Sequence, residues 1–155
     1  MTEHRYEVEV VWNGATTDYR SYSRNHEIRA TGQPSIPCSA DPKFRGAEGH
    51  WDPEQMFVAS LSQCHMLWYL HLCAEAGVIV TYYHDLAAGT MNDERFTEVT
   101  LRPQITVTEP AMTSTARHLH TEAHRRCFLA NSVNFPVRHE PTVSADQPGL
   151  DGAQH

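Results

Sequence analysis

The apolar positions of the chain first alternate and then form a long continuous run. Within residues 6–13 nearly every second side chain is apolar, a pattern typical of a half-buried strand. Asn13-Gly14 predicts a hairpin turn directly after this strand. Residues 19–23 and 27–30 predict two further short strands. Residues 32–52, which hold three prolines, predict a long loop.

The clearest predicted element is a helix that begins at Pro53 and runs to about Ala76. Asp52 and Gln55 are spaced as in a capping box, Pro53 suits the first helical position, and Gly77 is a stop signal. The helix is apolar on nearly all sides, which indicates that most of its surface is buried. It would be about 36 Å long. Because this is long for the core of one small domain, we expect two subunits to share it.

Four further elements are predicted after this helix. They are two strands, a helix and a strand, over residues 78–88, 97–109, 114–132 and 137–143. Pro103 should mark an edge or a bulge in the second of these strands. The order β-β-β-α-β-β-α-β predicts an α+β fold with a single domain over residues 1–144. Residues 145–155 are polar and rich in glycine and proline, so we expect a disordered tail.

Charge and composition exclude several classes of function. The formal net charge is −7, and the longest basic run is the pair Arg125-Arg126. Nucleic acid and anionic membranes are therefore not expected as partners. No run of 18 apolar residues predicts a membrane span, and no apolar segment near Met1 predicts an export signal. We expect a cytoplasmic protein whose cysteines are reduced at rest.

The four cysteines are Cys38, Cys64, Cys73 and Cys127, and none forms a CxxC pair. Zinc ribbons and thioredoxin-like motifs are thereby excluded. Cys64 lies in the middle of the first predicted helix, and Cys127 lies late in the second. These two residues are either small core residues or a redox pair. A redox pair requires their Cα atoms to lie within about 7 Å of each other.

Histidines crowd the second predicted helix. His120 and His124 are four residues apart, and Cys127 follows three residues later, so two or three zinc ligands could share one face. An exposed polar face that also includes His118 explains the same spacing. We favour the polar face, because a compact four-ligand motif is absent. Neither a metal nor a cofactor is predicted.

The residues around Cys64 and Cys127 carry a family resemblance. The helix opens with Pro53-Glu54 and reaches Cys64 ten residues after the glutamate. This segment resembles the signature of the OsmC/Ohr family, which comprises osmotically inducible protein C-like and organic hydroperoxide resistance proteins. The segment from Ala123 to Cys127 resembles the family's second cysteine site. The order of elements is also similar, from about residue 6 to residue 143.

Three positions depart from the family pattern. Asp52 stands where the family usually has Asn, and Phe128 follows Cys127 where the family often has Pro. His65 follows Cys64 where an aromatic residue is common. The resemblance implies antiparallel sheets around long central helices in an intertwined homodimer. It places two active sites at the subunit interface.

The resemblance also implies an activity. The chain would be a thiol-dependent peroxidase for organic hydroperoxides, with hydrogen peroxide as a further possible substrate. Cys64 would attack the peroxide and become a sulfenic acid, and Cys127 would resolve it as a disulfide. A small dithiol or a lipoylated protein would then reduce the disulfide. The alternative is an OsmC-like protein that binds a small apolar or thiol ligand without turnover.

In the family an arginine, held by the glutamate, favours the thiolate. Glu54 matches that glutamate. Arg45 resembles the arginine of the OsmC branch and is our first choice, whereas Arg20 resembles the placement in the Ohr branch. Ten residues of helix span about 15 Å. Glu54 would therefore act on Cys64 through the arginine, through a kink, or at the partner subunit's site.

Overall fold

The computed structural model describes residues 2–146, which divide into two compact units with the boundary between Phe57 and Val58. Within these residues the chain has two α-helices and nine strands, which confirms the predicted α+β class. None of the helices in this range is both long and apolar enough to cross a membrane.

The first unit contains a three-stranded antiparallel sheet. Its strands are β1 (Glu9–Val11), β2 (His26–Arg29) and β3 (Ile36–Cys38), paired in that order. In the register, Glu9 lies opposite Arg29 and His26 lies opposite Cys38.

Three local predictions for this unit are wrong. The expected strand over residues 19–23 is a turn, in which the Tyr22 N–H donates to the Asp18 carbonyl at 3.2 Å. Asn13-Gly14 does not form a tight hairpin, because residues 12–25 all lie between β1 and β2. The segment predicted as a long loop contains β3, whose backbone pairs with β2 despite the proline at its centre.

The first helix, α1 (Pro53–Glu75), begins and ends where its local signals predict. The Gln55 N–H donates to Asp52 Oδ1 at 2.8 Å, and the Asp52 N–H donates to Gln55 Oε1 at 3.3 Å. These two bonds are the capping box. Gly77 adopts a φ of 73° just after the helix, a conformation that is strained for residues with a side chain.

The second unit holds two three-stranded sheets formed by three bent strands. The strand segments are β4 (Val80–Asp85), β5 (Ala88–Met91), β6 (Phe96–Leu101), β7 (Pro103–Val107), β8 (Val137–His139) and β9 (Thr142–Ala145). One sheet has the order β4-β7-β9 and the other has the order β5-β6-β8. The strands predicted over residues 97–109 and 137–143 are each divided in two and contribute to both sheets. The strand predicted over residues 78–88 covers β4 but only the first residue of β5.

The breaks in these strands have local causes. At the β6–β7 break, the Arg102 N–H donates at 2.6 Å to Oδ1 of the Asp85 side chain instead of to a backbone carbonyl, and the following Pro103 has no N–H. Pro141 lies at the β8–β9 break. Both sheets are mixed rather than purely antiparallel, since β6 pairs with β8 and β7 pairs with β9 in parallel.

The second helix, α2 (Thr113–Arg126), ends six residues earlier than predicted. Cys127 has φ −64° and ψ 113°, so it follows the helix in an extended conformation. The strand β9 reaches Ala145, the first residue of the predicted tail. The rest of that tail, residues 147–155, lies outside the described residues. The single domain over residues 1–144 stays a prediction.

Two buried clusters hold the second unit together. The larger joins α1 and α2 to the β4-β7-β9 sheet, through Tyr69, Leu72, Cys73, Val78, Ile105, Val107, Ala116, Ala123 and Val143. The smaller joins α1 to the β5-β6-β8 sheet, through Leu61, Val99, Leu101 and Val137. Burial of each large apolar side chain contributes roughly 1.5–3 kcal/mol. The central part of α1, which carries Cys64, is thereby fixed against both sheets.

Candidate active site

The structure brings Cys64 and Cys127 together. Cys64 is half-buried in α1, and Cys127 is 1% exposed just after α2. The two thiols are close enough to interact with each other, and neither is in a disulfide. The Ala130 N–H approaches the Cys127 sulfur at 3.5 Å. The turn after α2 therefore holds this thiol towards α1.

The surroundings of Cys127 disfavour its thiolate. Burial, together with the adjacent Cys64, raises the pKa of the Cys127 thiol to about 11, against opposing contacts from backbone N–H groups. Because the thiolate is the reactive form, Cys127 is less reactive near neutral pH than an ordinary cysteine.

The other two cysteines lie elsewhere. Cys38 is 1% exposed, although it lies in the segment predicted as a long loop. Its thiol contacts the Ile36 carbonyl at 3.6 Å and Met56 Sδ at 3.7 Å. Cys73 is also buried, and burial raises the pKa of its thiol. Both side chains are part of the packing.

Glu54 borders a mainly apolar cavity of about 430 Å³ in the first unit. Trp12, Tyr22 and Phe44 contribute aromatic surface to its lining, and Arg24 contributes a cation. Glu54 Oε2 is buried, and no hydrogen-bond partner for it exists within residues 2–146. A buried carboxylate oxygen without a partner is costly, so this position favours a positively charged or donating group.

Arg24, rather than either arginine chosen from the sequence, lines this cavity with Glu54. Its guanidinium lies 3.5 Å from the centroid of the Tyr22 ring and donates to the Tyr19 carbonyl at 2.6 Å. Arg45 is exposed, has a φ of 69°, and lies 5.3 Å from the Tyr19 ring centroid. Arg20 is exposed in the turn after Asp18. The assignment of either arginine to Cys64 stays a prediction.

A buried pair of imidazoles lies beside the cysteine positions. His65, the residue after Cys64, is 1% exposed, and His120 of α2 is 0% exposed. His65 Nε2 and His120 Nδ1 are 3.0 Å apart. The exposed polar face predicted for α2 is therefore wrong at His120, although His118 is exposed as predicted.

Two further histidines approach this pair. The ring of His139, at the end of β8, lies 5.8 Å from that of His65 and 5.2 Å from that of His124. Burial, together with these neighbours, lowers the pKa of His65 to about 4 and that of His120 to about 3. Over the described part of the chain, no three His, Cys, Asp or Glu side chains are arranged to hold a metal ion.

The sequence analysis assigned no role to Arg24, His65 or His139. For His65 the sequence offered one signal. It is a histidine in an apolar helix, directly after Cys64 and four residues before Tyr69, so it lies on the same helix face as that apolar residue. Arg24 and His139 had no such signal. They lie on strand or loop segments whose position depends on pairing with distant parts of the chain.

Comparison with known proteins identifies relatives. The OsmC family model, described as OsmC-like protein, matches residues 46–142. No significant match was found among curated proteins.

Solved structures extend the similarity over nearly the whole chain. An OsmC-like protein of unknown function from Vibrio cholerae is 34% identical, with a TM-score of 0.79, and the match covers 92% of this chain and 100% of that one. An organic hydroperoxide resistance protein from Legionella pneumophila is 18% identical, with a TM-score of 0.63 and coverages of 92% and 99%. Another from Elizabethkingia anophelis is 17% identical, with a TM-score of 0.64 and coverages of 94% and 100%.

Proposed function

Because the chain belongs to the OsmC-like protein family, we propose that it is a thiol-dependent peroxidase for organic hydroperoxides. The contact between the thiols of Cys64 and Cys127 carries this proposal. Two reduced cysteines from separate elements, held in contact, are what the formation and resolution of a sulfenic acid require. Some relatives of the same fold are named organic hydroperoxide resistance proteins.

The proposed reaction has two oxidative steps. The Cys64 thiolate attacks the peroxide oxygen, an S–O bond forms as the O–O bond breaks, and the alcohol leaves after taking a proton. Cys64 is thereby oxidised by two electrons to a sulfenic acid. The Cys127 sulfur then attacks Cys64. The S–O bond breaks, an S–S bond forms, and hydroxide leaves as water with the proton of Cys127.

The surroundings of Cys127 support this division of roles. Its raised pKa keeps it protonated near neutral pH, which suits a thiol that waits to resolve rather than one that attacks peroxide. The disulfide would then accept two electrons from a small dithiol or a lipoylated protein, which restores both thiols. We also propose a cytoplasmic location, where such reductants keep cysteines reduced.

In the proposed mechanism Glu54 orients an arginine that favours the Cys64 thiolate. An arginine suits this role because its fork of donors can bridge a carboxylate and a thiolate while it stays charged. The candidates are Arg45 and Arg20, chosen from the family resemblance, and Arg24, chosen because it shares a cavity with Glu54.

Replacement of each arginine by methionine would distinguish these candidates. Methionine keeps an unbranched apolar stem and removes the charge. The variant that loses the activating group should consume cumene hydroperoxide much more slowly, and Cys64 alkylation should reach its midpoint at a higher pH. The other two variants are matched controls. Unchanged profiles for Arg24→Met, Arg45→Met and Arg20→Met would remove arginine activation from the mechanism.

We propose a homodimer as well. Leu67 of α1 is 60% exposed and Phe57 is 36% exposed, which is unusual for large apolar side chains on a central helix. An obligate dimer interface would cover such residues. Sedimentation at low micromolar concentration should give twice the mass of one chain, and a folded monomer at that concentration would contradict the proposal.

The decisive experiment is a mass measurement after the addition of one equivalent of hydroperoxide. We expect the wild-type chain to lose two hydrogens, with Cys64 and Cys127 in one disulfide-linked peptide pair. Cys127→Ser should instead gain one oxygen at Cys64. A Cys38–Cys73 disulfide with Cys64 still free would refute the assignment.

The apolar cavity beside Glu54 favours a second candidate, a protein that binds a small apolar or thiol ligand without turnover. Such a protein would leave Cys64 unmodified when hydroperoxide is added. The mass measurement therefore separates the two functions directly.

A further inference from the structure

The two cysteines lie at one end of a contact between two antiparallel helices. At the other end the Tyr69 hydroxyl donates to the Ala116 carbonyl at 2.9 Å. One turn closer to the cysteines, His65 meets His120 at 3.0 Å. The four-residue step from Tyr69 to His65 along α1 matches the four-residue step from Ala116 to His120 along α2. These polar contacts therefore set how the helices align.

The geometry of the imidazole pair is that of a hydrogen bond within one plane. The rings are inclined by only 5°, and their centroids are 5.3 Å apart. The nitrogen–nitrogen distance of 3.0 Å is shorter than the roughly 3.5 Å of stacked atoms in van der Waals contact. The rings therefore lie side by side, and one nitrogen donates its hydrogen to the lone pair of the other.

This bond tolerates only one proton between the two rings. If His65 Nε2 and His120 Nδ1 both carried hydrogens, two donors would face each other at 3.0 Å. The outer nitrogen of His120, Nε2, is buried and has no partner within residues 2–146. One added proton would leave a hydrogen on both outer nitrogens, and the hydrogen on His120 Nε2 would have neither an acceptor nor solvent in the closed arrangement.

Among residues 2–146, the groups that act on the pair offer no counter-charge. The pKa of His65 is lowered by His139 of β8 and His124 of α2. The pKa of His120 is lowered by His139 and by Arg117 of α2. On the α1 side, the Tyr69 ring stacks on His120 at 3.8 Å, with Tyr83 of β4 behind it. Burial raises the pKa of both tyrosines, so they are neutral. Each of these described side chains would face a cation as a neutral or positive neighbour.

We propose that the His65–His120 hydrogen bond is an acid-sensitive clamp that positions the two cysteine-bearing segments for disulfide closure. The inference deepens the proposed peroxidase function and rests on it for its biological role. His65 and His120 are positioning residues. An added proton turns the pair into a buried cation that the closed arrangement cannot solvate. The α1–α2 contact then loosens, and the thiol of Cys127 leaves Cys64. Attack of peroxide on Cys64 needs no such contact, so sulfenic acid accumulates in acid.

The test replaces the imidazoles by amides. The Gln side-chain nitrogen or oxygen occupies the position of Nε2, and that of Asn occupies the position of Nδ1. The double variant His65→Gln/His120→Asn therefore keeps a neutral hydrogen bond that cannot titrate. His118→Gln, on the exposed side of α2, is the matched control. Circular dichroism at each pH confirms that every protein stays folded.

Closure of the Cys64–Cys127 disulfide would be timed between about pH 7.5 and about pH 4 with two oxidants, cumene hydroperoxide and oxidised glutathione. With glutathione, Cys64 forms a mixed disulfide, and Cys127 then displaces the glutathione thiol. The readout is the ratio of the closure rates of wild type and double variant at the same pH, because the titration of Cys127 affects both proteins alike.

We expect the ratio of the wild-type closure rate to that of the double variant to be constant near neutral pH. It should have fallen about twofold near pH 4, where half of His65 is protonated. His118→Gln should behave as wild type. A ratio independent of pH with both oxidants would overturn the clamp. If peroxide leaves Cys64 unmodified while glutathione shows the fall, the clamp stands and the peroxidase proposal fails.

Discussion

Cys127 should react slowly with alkylating agents, by an amount that follows from its surroundings. Its pKa is raised from 9.0 to about 11. Two units reduce the thiolate fraction at neutral pH about 100-fold. The more basic thiolate is intrinsically more nucleophilic by roughly 6- to 10-fold. Because the second factor offsets part of the first, the alkylation rate of Cys127 should be about 10- to 20-fold lower than that of an ordinary cysteine. Steric protection by burial would lower it further.

The assay uses the Cys64→Ser variant, so that only Cys127 of the pair is alkylated. Burial, the largest cause of the shift, remains in this variant. Iodoacetamide modification of Cys127 would be followed by peptide mass mapping between about pH 7 and pH 9.5. The same variant unfolded in urea supplies the reference rate for an ordinary thiol.

The expected rate in the folded protein rises about tenfold per pH unit over this range and does not level off. A plateau near pH 9, or folded and unfolded rates equal within about twofold, would show that burial does not control this thiol. The reason for assigning Cys127 the resolving role would then be lost.

Three further predictions concern stability. The unfolded state binds more protons than the folded state between pH 6.5 and about 4, because the pKa values of His65 and His120 are lowered to about 4 and about 3. Urea unfolding should therefore show the free energy of unfolding falling as pH drops through that window, by on the order of 3 kcal/mol for each of the two histidines. A free energy of unfolding that does not change with pH would contradict the buried pair. Asp52→Ala removes the acceptor of the Gln55 N–H and should cost about 1 kcal/mol, with Asp52→Asn nearly neutral, as measured by the urea midpoint. Gly77→Ala places a side chain at φ 73° and should cost about 1–2 kcal/mol, with a smaller loss for Gly77→Asn, which thermal unfolding would detect.

The helix α1 was predictable because its signals are local. The capping pair Asp52 and Gln55 and the stop at Gly77 act over a few residues, and the structure retains all of them. The cysteine pair was predictable only as a resemblance. Nothing in the spacing of Cys64 and Cys127, 63 positions apart in the sequence, indicates that their thiols meet.

The strands were predicted less well, because pairing decides them. Residues 32–52 contain prolines and no clear alternation, yet Ile36–Cys38 forms a strand since β2 offers it partners. The expected strands after α1 are each broken where a side chain or a proline interrupts the ladder, as Asp85 and Pro103 do. The position of such a break depends on which residues lie opposite it.

The sequence by itself determined the α+β class, the limits of α1 and the family to which the chain belongs, because these depend on local propensity and on short motifs. Only the tertiary structure decided which polar groups share a buried space. It placed Arg24 in one cavity with Glu54, and it placed His120 against His65 instead of in solvent. Helical periodicity shows which side chains of one element share a face, but not which of those faces is covered. Which face is covered depends on how distant segments pack against each other. The hydrophobic effect favours the packing that removes the most apolar surface of the whole chain from water.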